Sequence, residues 1–184
     1  MSGTPKRKPG RTPELALTIQ YGTRAARLPS RAKLRRWLRA ALRKNARVTL
    51  RLIGAREARR LNLDYRGRDY ATNVLTFIYS EQSPLDGDIA ICAPVVAREA
   101  SVHGVGREAH YAHLAVHGAL HLQGYDHERA ADATRMEKLE TRILARLGYA
   151  DPYRSAAPDG NPRPARSRAR AARVKSKPSR RHDR

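Results

Sequence analysis

A chain of 184 residues with a formal net charge of +21, 40% hydrophobic and 5% aromatic residues has the size of one domain with extensions, its core packed mainly by aliphatic side chains. A single cysteine, Cys92, excludes an intramolecular disulfide. No apolar run reaches the length of a transmembrane helix, and no apolar stretch follows the N-terminal charges as in a secretion signal. We therefore expect a soluble cytoplasmic protein with no membrane partner, whose basic ends suit a polyanion such as nucleic acid.

The charge is unevenly spread. Residues 1–13 hold four basic and no acidic residues, and Arg154 to Arg184 holds eleven basic and two acidic ones. We expect a flexible basic extension over residues 1–13, a folded domain over 14–153, and a disordered basic tail over 154–184 that contacts nucleic acid. Within the domain, ELALTIQY alternates as a strand. LPSRAKLRRWLRAALRKN predicts a helix capped by Ser30, with Leu34, Trp37, Leu38, Ala41 and Leu42 at helical spacing. RVTLRLI is a strand with Val48, Leu50 and Leu52 on one face, and AREARRLNLDYR a second helix after Gly54. The loop GRDYATN leads into the strand VLTFIY, and the turn-rich SEQSPLDG into the strand DIAIC, where Cys92 reads as a small buried hydrophobe. Three helices follow: APVVAREASVHG, REAHYAHLAVHGALHLQG ending at Gly124, and ERAADATRMEKLETRILARLG closed by Gly148. Strands early and helices late predict an α+β fold, about four strands in a mixed sheet packed with about five helices.

Three of the seven histidines fall in VHGALHLQGYDH. His117 and His121, four apart on a helix, share one face and can point at one ion. Gly124 lets the chain leave the helix, so that His127 can approach the same ion from the other side. Three imidazoles with an open fourth position make a catalytic zinc arrangement. The spacing is that of the metzincin metalloproteases, which carry a glutamate directly after the first histidine as general base. Here that position is Gly118, so the spacing argues for a metal while the missing glutamate argues against ordinary proteolysis. His113, one turn earlier, and Asp126 are candidates for contacts that orient the ligand imidazoles or meet substrate. A divalent ion at this place suits hydrolysis, and the basic surroundings favour a phosphodiester over a peptide.

LNLDYRGRDYATNVLTF, DGDIAIC, HLAVHGALHLQGYDH and MEKLETRILARLGYADPY, in this order from Leu61 to Tyr153, resemble the bacterial YbeY family of metal-dependent endoribonucleases. The histidine block ending in GYDH is the most specific part, and RGRDYATNVL supports it independently. The resemblance implies a single-strand-specific endoribonuclease acting in ribosomal RNA maturation, including the 3′ end of the small-subunit RNA, and in ribosome quality control. It implies one zinc ion per chain, with ligands that fall on His117, His121 and His127, and a functional arginine that falls on Arg66. It implies ribosomal RNA, the small ribosomal subunit and ribosome-associated proteins as partners. Two positions depart from the family's common pattern, Ala71 and Ile78 standing where proline is frequent. Asn73 reads as a loop-shaping residue. Two rival readings stay open at this point: a non-catalytic assembly factor of the small subunit with a structural metal, and a metallopeptidase.

Overall fold

A computed structural model of the chain describes residues 12–126, 129–154 and 172–173. His127, residues 1–11 and nearly all of the basic tail lie outside the described residues. The elements follow in the order β1 (Leu15–Tyr21), α1 (Arg31–Ala41), β2 (Ala46–Ile53), α2 (Ala55–Arg66), β3 (Val74–Ser80), β4 (Leu85–Cys92), α3 (Ala93–Val102), α4 (Arg107–Leu122), α5 (Ala130–Leu147) and β5 (Ala172–Arg173). This is the expected α+β fold: four strands of length in a mixed sheet, with five helices. Among the described residues no helix is long and apolar enough to cross a membrane.

The sheet order is β1-β2-β4-β3-β5. β1 and β4 both run parallel to β2, whereas β3 runs antiparallel to β4. Val48, Leu50 and Leu52 of the central strand enter the main core as their alternation predicts. β4 begins at Leu85, before the DIAIC that local sequence marks as strand. Leu85 pairs with Ala46 and Gly87 with Val48, so a central partner strand draws the end of a turn-rich segment into the ladder. β5 has only two residues. It pairs with Phe77 and Ile78 on the outer edge of β3, where backbone groups are open to a passing chain, although the sequence predicts no structure there.

The two faces of the sheet hold separate cores. On one, α2 and α3 cover Leu75, Phe77, Ala90 and Cys92. On the other, α1, α4 and α5 pack with Leu50, Leu52, Ile89 and Ile91. α1 forms as its sequence dictates: Ser30 Oγ accepts from the Lys33 N–H, and Leu34, Trp37, Leu38 and Ala41 are buried. α4 is buried from Tyr111 to Leu122 with one break at His113, the pattern of a central helix. It contacts α1, α3, α5, β3 and β4. The histidine helix is therefore the most enclosed of the described helices, which is what fixes its side chains.

Candidate metal centre

His117 and His121 sit one turn apart on the buried length of α4, at 7% and 2% exposure. Their Nε2 atoms face each other at 3.1 Å. The other side of the His117 ring is pinned, because Nδ1–H donates to Glu140 Oε1 at 2.7 Å. That bond selects the tautomer: with the proton on Nδ1, the Nε2 lone pair of His117 points at His121. Two imidazole nitrogens at this separation share either a proton, as an N–H···N hydrogen bond, or a metal ion. Tetrahedral ligands on zinc at 2.0–2.1 Å stand roughly 3.3 Å apart, so the observed separation fits a shared ion. The residues present thus suit a zinc-type ion on the Nε2 side.

Glu140 is fully buried on α5 and accepts from three donors. His117 Nδ1 and the Tyr153 hydroxyl take one oxygen each, and His113 Nε2 lies 3.3 Å from the oxygen shared with Tyr153. Burial alone would raise the Glu140 carboxyl. The electrostatic pull of the His117 and His113 imidazoles and their hydrogen bonds outweigh it and hold the group far below the ordinary carboxylate range. Burial, and then the Glu140 charge, push the Tyr153 phenol far upward, so it stays a donor. His113, His117 and Glu140 also bring one ligand atom each within 4.8 Å. Their closest separation, 2.7 Å between His117 Nδ1 and Glu140 Oε1, is that of a charge-assisted hydrogen bond, so we read Glu140 as the carboxylate that orients a ligand rather than as a ligand.

A chain of polar contacts continues toward α3. His110 Nε2–H donates to Glu99 Oε2 at 2.8 Å, and Asn73 Nδ2 donates to the same oxygen at 3.0 Å. Asn73 also accepts the Cys92 N–H through its backbone carbonyl at 2.8 Å. It thus ties the start of β3 to α3 and β4, in keeping with a loop-shaping role.

Gly118 answers the comparison with metalloproteases. A Cβ built there would stand 2.9 Å from Ile89 Cγ2 and 3.2 Å from Thr76 Oγ1. The residue after His117 therefore faces the sheet at closest approach, where a glutamate side chain has no room. Gly124, at φ 84°, ends the helix, with Tyr125 N–H donating to the Leu120 carbonyl at 3.2 Å.

The structure brings together His113, His117 and His121. Asp126 is exposed at the end of the turn, while the carboxylate against His117 is that of Glu140. Arg66 is half-buried in the last turn of α2, whose packing is on the other sheet face. Sequence reasoning passed over Glu140 and Tyr153. The signal for Glu140 was present: it stands in the apolar stripe Met136, Leu139, Ile143, Leu144 and Leu147, and a carboxylate in such a stripe needs a partner.

Comparison with known proteins identifies the family of the chain. The family model described as Endoribonuclease YbeY matches residues 23–148. A protein of Aromatoleum aromaticum named Endoribonuclease YbeY is 60% identical over 142 residues, 76% of this chain and 92% of its own. One of the same name from Nitrosomonas europaea is 50% identical over 153 residues, 83% of this chain and 93% of its own. A solution structure of a Thermotoga maritima protein overlays with a TM-score of 0.49 at 24% identity, covering 79% of this chain and 99% of that one. With a matching family model over most of its folded part and relatives covered nearly end to end, the chain belongs to the YbeY endoribonuclease family.

Proposed function

We infer that this chain is a metal-dependent endoribonuclease that hydrolyses phosphodiesters of single-stranded RNA in ribosomal RNA maturation, at a zinc ion held by His117, His121 and His127. The carrying observation is the facing pair of Nε2 atoms at 3.1 Å with Glu140 behind His117. His127 lies outside the described residues, and its part rests on its spacing and on the family's histidine motif. A divalent ion bound there supplies positive charge to a phosphoryl oxygen and acidifies a water.

The protein's own groups do the rest. Glu140 holds His117 in the tautomer that offers Nε2 inward, and His113 and Tyr153 satisfy the remaining lone pairs of Glu140. On the family's motif, rather than on its place in the fold, we assign Arg66 to the scissile phosphate, where a guanidinium matches two oxygens at once. No glutamate can follow His117, which removes the usual general base of a metallopeptidase and favours a nucleic-acid substrate. We place the activity in the cytoplasm, on the 3′ end of small-subunit ribosomal RNA and in ribosome quality control, with the small subunit and its associated proteins as partners.

The test is purified protein stripped of metal, reloaded with zinc and offered a single-stranded ribosomal RNA fragment beside casein, with His121→Ala as control for contaminating ribonuclease. Zinc-dependent RNA cleavage that His121→Ala abolishes is the expected result. RNA binding with no cleavage would make the protein an assembly factor, and casein digestion would make it a peptidase.

A further inference from the structure

The strongest unassigned feature lies outside the imidazole cluster, between the end of α1 and the outer face of α5. A hollow of about 240 Å³ is lined by Arg43, Tyr125, Arg135, Lys138, Leu139 and Arg142. It is built rather than accidental. Gln123, at the end of α4, donates from Nε2 to the Ala41 carbonyl at 3.0 Å, and its Oε1 accepts the Arg43 N–H at 2.9 Å. These bonds clamp the end of α1 against the turn that carries Tyr125. On α5, Arg135, Lys138 and Arg142 recur at helical spacing on the exposed face, with Leu139 beside them. The Arg135 guanidinium stands 5.7 Å over the Tyr125 ring.

Among the described residues that line this hollow, four are cations and none is a carboxylate. Among the described residues none of the four forms an ion pair, whereas Lys33, Arg47, Arg51 and Arg59 each meet an acidic partner. Like charges three and four apart on a helix repel, and an anion among them would relieve that repulsion. Basic side chains around an aromatic face are the composition of a single-strand nucleic-acid site: cations take the phosphates and the ring stacks on a base. Tyr125 also stands in the turn directly after α4, so the hollow lies at the end of the helix that carries His117 and His121.

We propose that the hollow lined by Arg43, Tyr125, Arg135, Lys138 and Arg142 is a phosphate-binding subsite for single-stranded RNA, separate from the metal centre, that holds the strand to one side of the cleaved bond. This rests on the RNA reading above. It adds that substrate length matters: a strand long enough to reach the hollow binds more tightly than one confined to the metal centre.

The full-length protein with Arg135→Glu and Arg142→Glu together, both exposed, is compared with wild type. Fluorescence anisotropy reads the affinity for a labelled, non-cleavable 2′-O-methyl single-stranded oligonucleotide of about 20 nucleotides, longer than the roughly 4–16 nucleotides that a single-strand-binding OB-fold covers, at several salt concentrations. Metal content and turnover on a short oligoribonucleotide are read in parallel. Expected is about tenfold weaker binding and a log–log salt slope shallower by roughly 1.4, two phosphates at about 0.7 each, with metal content and short-substrate turnover unchanged. A second variant, Tyr125→Phe, keeps the stacking face and should bind as wild type, while Arg43→Gln should lower the slope by about 0.7. An unchanged slope in the double variant overturns the subsite, as does an equal loss on the short substrate. Loss of binding to phosphatidylglycerol vesicles with RNA binding intact would assign the hollow to a membrane surface and overturn it too. Wild type that binds RNA but never cleaves it would sink the proposed activity alone, because the anisotropy result stands without cleavage.

Discussion

Glu140→Gln removes one charge and almost no volume, so it tests the carboxylate behind His117 with little disturbance to packing. In the native site both oxygens accept, from His117 Nδ1 at 2.7 Å, from His113 Nε2 at 3.3 Å and from the Tyr153 hydroxyl. Glutamine keeps one accepting oxygen and turns the other position into a donor. If the oxygen faces His117, the amide meets Tyr153 and His113, which must change from donors to acceptors, and a neutral oxygen holds the Nδ1 proton less strongly than a carboxylate does. If the amide faces His117, the imidazole must carry its proton on Nε2, where the ion belongs. Either way the arrangement that presents a lone pair to metal is weakened, and loss of such an orienting partner typically costs about 10–100-fold in affinity, or about 1.4–2.7 kcal/mol. Competition with a chelator at fixed pH measures this, with circular dichroism and thermal melting to show that the variant is folded. Zinc affinity within about twofold of wild type in a folded variant would refute the orienting role, being far inside the expected range. A loss beyond about 1000-fold, with His121→Ala harmless, would instead move the ion to the grouping of His113, His117 and Glu140.

Four further outcomes are expected. Arg66→Ala should keep fold and metal yet lose turnover, and Arg66→Lys should recover little of it; cleavage assays at matched metal content decide. Gly118→Ala pushes a methyl against Ile89 and Thr76 and should cost about 1–3 kcal/mol in denaturant unfolding, since overpacking at a close approach forces the backbone to move. Cys92 is buried and its thiol is pushed up by that burial, so it should resist alkylation in the native protein and react on unfolding; rapid native labelling would contradict its placement. A chain ending at Tyr153 should retain metal and short-substrate turnover but bind long RNA with a shallower salt slope, by about 0.7 for each phosphate that the tail neutralises; equal slopes would show that the tail does not touch RNA.

Much of this was legible from the residues because several local rules agreed with one another. Ser30, the α1 apolar positions and the Val48–Leu50–Leu52 alternation each specify structure within one element, and each is found as expected. The start of β4 was not, because pairing with β2 decides it and a distant strand leaves no mark in a local window. The site divides in the same way. His117 and His121 are joined by helical spacing, which sequence displays. Glu140 and Tyr153 reach His117 and His113 from 23 and 40 positions away, through packing of α5 on α4 and through the turn after it. Only the oddity of a carboxylate in an apolar stripe hinted at one of them. The hollow on α5 was hidden for another reason: in a chain with 38 lysines and arginines, three more on one helix look like background until Arg43 and Tyr125 are seen beside them.

The close approach at Gly118 also bears on how this architecture can change over generations. A single base change turns some glycine codons into glutamate codons, so the carboxylate of a metalloprotease lies one mutation away in the gene. Ile89 and Thr76 stand against the backbone at that position, so the mutant loses its seat on the sheet before it gains a base. Escape would require smaller residues on β3 and β4 first, and neither change has any benefit to select it alone. Three histidines at protease spacing can thus persist in a lineage of ribonucleases because the neighbouring sheet, rather than the metal, guards the choice of chemistry.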